Sequence, residues 1–158
     1  MKRSSHRRHG IALRLPILLP LILAAAPAMG QGGLTIEVDN VRSSKGHVRL
    51  DVCPESLFLK DNCPASGAAP AHVGRTIVTV SGLRPGRYAV QAYLDENDNQ
   101  EVDRGLFGIP KEGVGFSNDA PIRLSPPKFK DAAFDFYGGN QVIKLDLRYF
   151  TGPKGPPA

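Results

Sequence analysis

The chain has 158 residues, 41 % of them hydrophobic and 22 % charged, with 20 Lys and Arg against 15 Asp and Glu. Five of the cations (Lys2, Arg3, Arg7, Arg8 and Arg14) lie in the first 28 residues, which carry no acid, so the remainder is formally neutral. That balance excludes nucleic-acid recognition by a basic face, which needs a surplus of Lys and Arg, and the roughly 130 residues left exclude more than one core.

The first element is a leader. "MKRSSHRRHG" is a basic region, "IALRLPILLPLILAAA" an apolar run, and "APA" at Ala26–Ala28 a small-x-small cleavage signal. Residues 1–28 therefore read as a secretory signal peptide, cut after Ala28 or, as the second choice, after Gly30. The residues after Arg7-Arg8 match a twin-arginine signal poorly, which favours the general secretory route. Arg14, Pro16 and Pro20 break the apolar run, so no membrane span is expected in the mature chain. The expected location is periplasmic or secreted. Residues 29–33 form a linker, 34–150 one domain, and "TGPKGPPA" (151–158) a tail expected to be disordered.

Within the domain, period-two alternation dominates. "LTIEVDNV" (34–41) places Leu34, Ile36 and Val38 on one face, and "HVRLDVC" (47–53) does the same with Val48, Leu50 and Val52. Between them "RSSKG" is a polar turn. Residues 54–72 are an excursion between strands. Cys53 and Cys63, the only two cysteines, are expected to staple its base as a disulfide in an oxidising compartment. "TIVTVSGL" and "RYAVQAYLD" are strands joined by the tight turn Arg84–Gly86. Because Gln91 interrupts the other face, Tyr88, Val90 and Ala92 are expected to face the core. "GLFGIPKEGVGFSNDAPIRLSPPKFK" is a Gly- and Pro-rich passage with one short strand at 121–124. "DAAFDFYG" and "QVIKLDLRYF" read as a closing hairpin about Gly138-Gly139-Asn140. The fold class is all-β: an antiparallel β-sandwich, immunoglobulin-like or prealbumin-like, of six to seven strands, with a small closed barrel as the alternative.

The stretch "DENDNQEVD" (Asp95–Asp103) follows the fourth strand and carries five carboxylates and two asparagines. Acids packed so densely need a counter-charge. Asp95, Asn97, Asn99 and Asp103 fall at positions 1, 3, 5 and 9, the spacing by which oxygen ligands surround calcium, and Glu101 at position 7 offers a backbone carbonyl. The twelfth position of such a loop is Leu106, so the last carboxylate is expected from Glu112 in "GIPKEG". The sixth position, glycine where the chain turns sharply, is Gln100. Calcium is thus the expected ligand, weighed against a solvated loop tip, where Asp and Asn are also enriched.

Several of these pieces occur together in a known family. "GLRPGRYAVQAYLDENDNQEVDRGLFGIPKEGVGFSNDA" followed by "PPKFKDAAFDF" resembles the DUF2141 family of exported bacterial proteins of unknown function, from about Leu34 to Tyr149. The resemblance implies a small exported β-sandwich and supplies no catalytic residue. Family members often have glycine where this chain has Gln100.

No catalytic set is legible. His47 and His72 stand alone, Ser117-Asn118-Asp119 suits a turn and lacks a nucleophile elbow, and Asp95 with Glu112 is a glycosidase pair only by being two carboxylates. There is no Trp, and Tyr88, Tyr93, Tyr137 and Tyr149 fall on alternating strand positions, as core or cross-strand rings do. The expected function is a non-catalytic exported module, calcium-stabilised, contacting an envelope protein or other envelope component. A carbohydrate-binding module is the alternative, with a hydrolase of envelope polymers behind it.

Overall fold

The computed structural model describes residues 32–156. The expected leader and its expected cleavage sites lie outside that range, as do the last two residues. Eight strands form two sheets. β1 (Gly33–Val41), β4 (Gly74–Ser81) and β8 (Gln141–Asp146) make the smaller sheet in the order β4-β1-β8. β2 (His47–Cys53), β3 (Ala65–Pro70), β5 (Gly86–Asp95) and β6 (Val114–Phe116) make the larger in the order β3-β2-β5-β6, and β7 (Phe134–Phe136) pairs with the start of β5. The chain is an all-β sandwich.

The alternation read from the sequence is the reason the sheets stack. Leu34, Ile36 and Val38 of β1, Val78 and Val80 of β4 and Leu145 of β8 meet Val48, Leu50 and Val52 of β2 and Val90, Ala92 and Leu94 of β5 in one core. The expected register of β5 holds: Val90 and Ala92 are buried in that core and Tyr88 packs against its edge. The opposite face of β5 is not wholly wet. Ala89 is sealed by a second cluster of Cys53, Phe58, Phe116, Ala120 and Ala132.

Four details depart from the sequence reading. β7 and β8 are not a hairpin: β7 pairs with Gly86–Tyr88 of β5, while β8 crosses to the other sheet and runs parallel to β1. Alternation specifies a face, not a partner, and both segments alternate equally well. The excursion contains β3, which pairs with β2 from Val52↔Ala65 to His47↔Pro70. Its sequence, ASGAAP, lacks large apolar residues because the strand runs close against β4; a Cβ on Gly67 would lie 2.8 Å from Val78 Cγ1. Residues 121–124 are irregular, and Pro121 brings no backbone donor to a ladder. The short strand of that passage is β6 instead.

The sheets are also joined at one edge. Val114 and Arg148 exchange backbone hydrogen bonds of 3.1 and 2.8 Å, which carry the end of β8 onto β6. Residues 151–156 lie along the first turn, where the Arg42 guanidinium donates to the carbonyls of Thr151 and Pro153.

Cys53 and Cys63 are disulfide-bonded, with Cα atoms 4.9 Å apart. The bond ties the excursion down where Phe58 enters the second cluster and meets Phe116 and Phe129 edge-on. Replacing both cysteines with alanine is expected to lower stability by about 2.5–3 kcal/mol, the chain-entropy value for so short a loop. Denaturant melts measure the loss, and thiol counting by mass spectrometry on protein freshly isolated from cells should find no free thiol in the wild type.

Candidate functional site

The acidic loop leaves β5 at Asp95, whose side chain is fully buried. A buried carboxylate needs compensation from every side, and here it comes from within the chain. Arg49 of β2 donates from Nε to Asp95 Oδ2 at 2.5 Å, while the backbone amides of Asn99 and Gln100 donate to Oδ1 and Oδ2 at 3.1 and 3.0 Å. β2 and β5 are paired neighbours, with Arg49 opposite Tyr93, so the cation approaches from the same sheet. Glu96 is held by Arg42 through both carboxylate oxygens, at 3.0 and 2.5 Å. Asp98 pairs with His47 at 2.5 Å and lies 3.7 Å from Arg49. The positive charge that the acidic stretch demands is supplied by the turn after β1 and by β2.

Asn97, Asn99 and Asp103, the other expected loop ligands, bond to one another. Asn97 and Asn99 donate their side-chain amides to the two oxygens of Asp103 at 2.9 and 3.1 Å. Their carbonyl oxygens accept the backbone amides of Asn99 and Glu101, so the loop curls through successive side-chain-to-backbone turns. Asp98 and Gln100 take positive φ of 58° and 67° to complete the curl. Gln100 thus occupies, at a steric cost, the sharp position where glycine is the unstrained choice.

Glu112 folds back as expected, but as a clip. Its two oxygens accept the backbone amides of Glu96 at 2.9 Å and Asp103 at 3.0 Å, closing the base of the loop from both sides. Burial pushes its carboxyl above the ordinary glutamate range, and the nearby Asp103 and Asp95 add to the shift against the pull of the two amides. The Glu101 side chain is solvent-exposed. Among the described residues, no three His, Cys, Asp or Glu side chains are grouped as metal ligands; the convergent set is completed only by the asparagines.

The acidic loop opens directly onto a feature that alternation does not reveal. From Asp103 to Lys111 the chain runs out and back as a finger, its rungs being Lys111 N to Asp103 O at 2.8 Å and Gly105 N to Ile109 O at 2.8 Å. Arg104 braces the tip by donating to Gly108 O at 3.0 Å. At that tip Leu106 is 83 % exposed and Phe107 98 % exposed. Beside the finger lies an open groove of about 610 Å³. Tyr93, Val114 and Phe116 contribute to its floor, and Leu59, Leu124 and Phe150 stand among its rim residues, with Leu124 fully exposed. Burial on this floor raises the Tyr93 hydroxyl to about 12. The sequence signal for the finger is an apolar pair held between two glycines, "GLFG", where a turn would ordinarily carry polar residues. Of the four tyrosines, Tyr149 is buried and Tyr88 packs on the core, but Tyr93 lines the groove and Tyr137 is 80 % exposed.

The residues weighed for catalysis are used structurally. The Ser117 hydroxyl is buried, donating to Ala132 O at 2.5 Å and accepting from Val90 N at 2.8 Å. Asn118 donates to Ala133 O, and Asp119 accepts the amide of Asp146. Asp95 and Glu112 are both turned into amide and guanidinium donors and away from open space.

A family model described as "Uncharacterized protein conserved in bacteria (DUF2141)" matches residues 36–144, more than half of the chain. No curated protein matches it, and no solved structure does.

If Arg49 is the counter-charge of Asp95, then Arg49→Met should destabilise the fold by about 3 kcal/mol, because a buried carboxylate loses its partner. The double variant Arg49→Met/Asp95→Asn should recover at least about 1 kcal/mol of that loss. A double-mutant cycle read by urea unfolding checks this, and additivity of the two substitutions would deny the coupling.

Proposed function

We propose, from the premise that this chain belongs to the DUF2141 family of uncharacterized bacterial proteins, that it is a non-catalytic contact module of the cell envelope that engages another protein through the groove beside the 103–111 finger. One observation carries this reading: Leu106 and Phe107 at the finger tip and Leu124 across the groove stand at 83 %, 98 % and full exposure around one concavity. Large apolar side chains grouped in this way around a polar-rimmed concavity mark an interaction site. Export to an oxidising compartment is the setting that favours the Cys53–Cys63 bond. Among the described residues no helix is long and apolar enough to cross a membrane.

Site-specific photo-crosslinking in intact cells tests the reading. A crosslinking residue at position 107 should yield an adduct with protein. One at Ile77, exposed on the outer face of the smaller sheet, should not. Adducts at 107 with glycan alone would move the assignment to a carbohydrate-binding module, and equal yields from both positions would remove it.

A second reading attaches to the acidic loop, favoured by the bonding of Asn97 and Asn99 side chains to Asp103 and of the Asn99 amide to Asp95. Calcium would be held there by their oxygens once the two asparagine amides rotate their carbonyls inward, and its role would be to stiffen the loop. Arg49 competes for Asp95, so the affinity is weak, of order 10⁻⁴–10⁻³ M as in extracellular modules. Calcium in excess should raise the melting temperature over that in chelator. Asp103→Ala should abolish the rise while the far-UV spectrum stays that of a β protein, and identical wild-type midpoints in calcium and chelator would exclude the ion.

A further inference from the structure

We infer that the protein engaging this groove is a second copy of the chain, docked about a two-fold axis so that the finger of each copy enters the groove of the other. The inference rests on reading the groove as a contact surface and names its occupant. A two-fold contact uses one patch on both partners, so that patch must present a knob and a matching recess together. This face does. The Leu106–Phe107 tip projects beside a recess whose floor includes Tyr93, Val114 and Phe116.

The charges on the rim favour the same occupant. The finger side of the groove carries Glu101 and Arg104. The side formed by the loop that bonds over Gln91 carries Lys60 and Asp61, placed there by Leu59 N to Gln91 Oε1 at 3.0 Å and Gln91 Nε2 to Lys60 O at 3.4 Å. Each of these two sides thus carries one cation and one anion, and Asp51 and Arg123, which also line the groove, add one charge of each sign. In the proposed dimer the finger side of each copy would lie against the Lys60–Asp61 side of the other, so that Arg104 could pair with Asp61 and Glu101 with Lys60, each pair made twice by symmetry. An anionic lipid surface or an acidic glycan would meet Asp61 and Glu101 along with the cations and gain no net attraction.

Pre-organisation adds to the fit. The finger is held by its two rungs and by Arg104 on Gly108, so its apolar tip is presented without an ordering step on docking.

Sedimentation velocity on the mature wild-type protein, from micromolar to hundreds of micromolar, should show a reversible monomer–dimer equilibrium. Phe107→Asp, at an exposed position whose positive φ aspartate tolerates, should raise the dissociation constant at least about tenfold with an unchanged melting temperature. Lys60→Glu and Glu101→Lys should each weaken the dimer, and the two together should restore it. Wild-type protein that stays monomeric throughout overturns the inference. So does a dimer indifferent to both Phe107→Asp and Leu124→Asp, which would show association through another surface. A monomer that still crosslinks to a different protein from position 107 sinks the second copy while leaving the contact-module reading intact.

Discussion

The ion pair between Arg49 and the fully buried Asp95 is the constraint on which the functional end of the molecule depends. Asp95 is the last residue of β5, and its carboxylate does three things at once: it receives Arg49 from β2 and the amides of Asn99 and Gln100 from its own loop. The pair therefore fixes the position of a loop as well as neutralising a charge. A buried ion pair contributes little net stability over an apolar substitute, but losing one member is expensive. That asymmetry makes it a positioning device. The turn before β2 reinforces it. Gly46 passes so close to β5 that a Cβ there would lie 1.8 Å from Asp95 O, and its φ of +66° suits glycine.

From that anchor the rest follows outward. The curled loop ends at Asp103, whose amide, with that of Glu96, is held by Glu112, so the two ends of the loop are clipped together by one carboxylate. Asp103 is also the base of the finger, through its carbonyl bond to Lys111. Arg42 works in parallel from the other side. Stacked 4.6 Å from the centroid of the Tyr149 ring, it binds Glu96 and donates to the carbonyls of Lys111 and Thr151. Arg42, just past β1, and Arg49 on β2 thus hold the acidic loop, the finger base and residues 151–153 in one assembly. Three of the five neighbouring carboxylates, Asp95, Glu96 and Asp98, are thereby turned toward cationic partners.

Much of this was legible in the sequence because the relevant signals are local. Alternation alone identifies β1, β2, β4 and β5 and assigns Val90 and Ala92 to the core, since a residue's face is a property of its own strand. The curl of the acidic loop is likewise local, built from bonds between Asx residues two to six positions apart. Partner choice was not legible. Nothing in "QVIKLD" distinguishes a hairpin with the preceding segment from the parallel pairing with β1 that occurs, and nothing in "ASGAAP" advertises a strand whose small side chains answer to β4. The counter-charges were missed for the same reason. Arg42 and Arg49 lie 54 and 46 residues before the acids they neutralise; the antiparallel pairing of β2 with β5 brings Arg49 to Asp95, and the turn that follows β1 brings Arg42 to Glu96.

The placement of the groove is itself a consequence of how much of the larger sheet the chain can cover. One face of β5 belongs to the sandwich core, so its other face must be covered by something else or left open. At Ala89 it is covered, because the disulfide brings the excursion back and Phe58 packs with Phe116 and Phe129 over that end. At Tyr93 no such flap exists. The loop residues that reach toward it, Leu59 and Lys60, stop at Gln91, where backbone and side chain satisfy each other. Beyond that point the sheet is bordered only by the finger on one side and the 122–126 loop on another. The residues bounding this uncovered half mix charged groups (Lys60, Asp61, Glu101 and Arg104) with large apolar ones (Leu59, Phe107, Leu124 and Phe150), whereas a face meant only for water would ordinarily carry polar side chains throughout. The staple that seals one half of the outer face thus also sets where the sealed half ends and the groove begins.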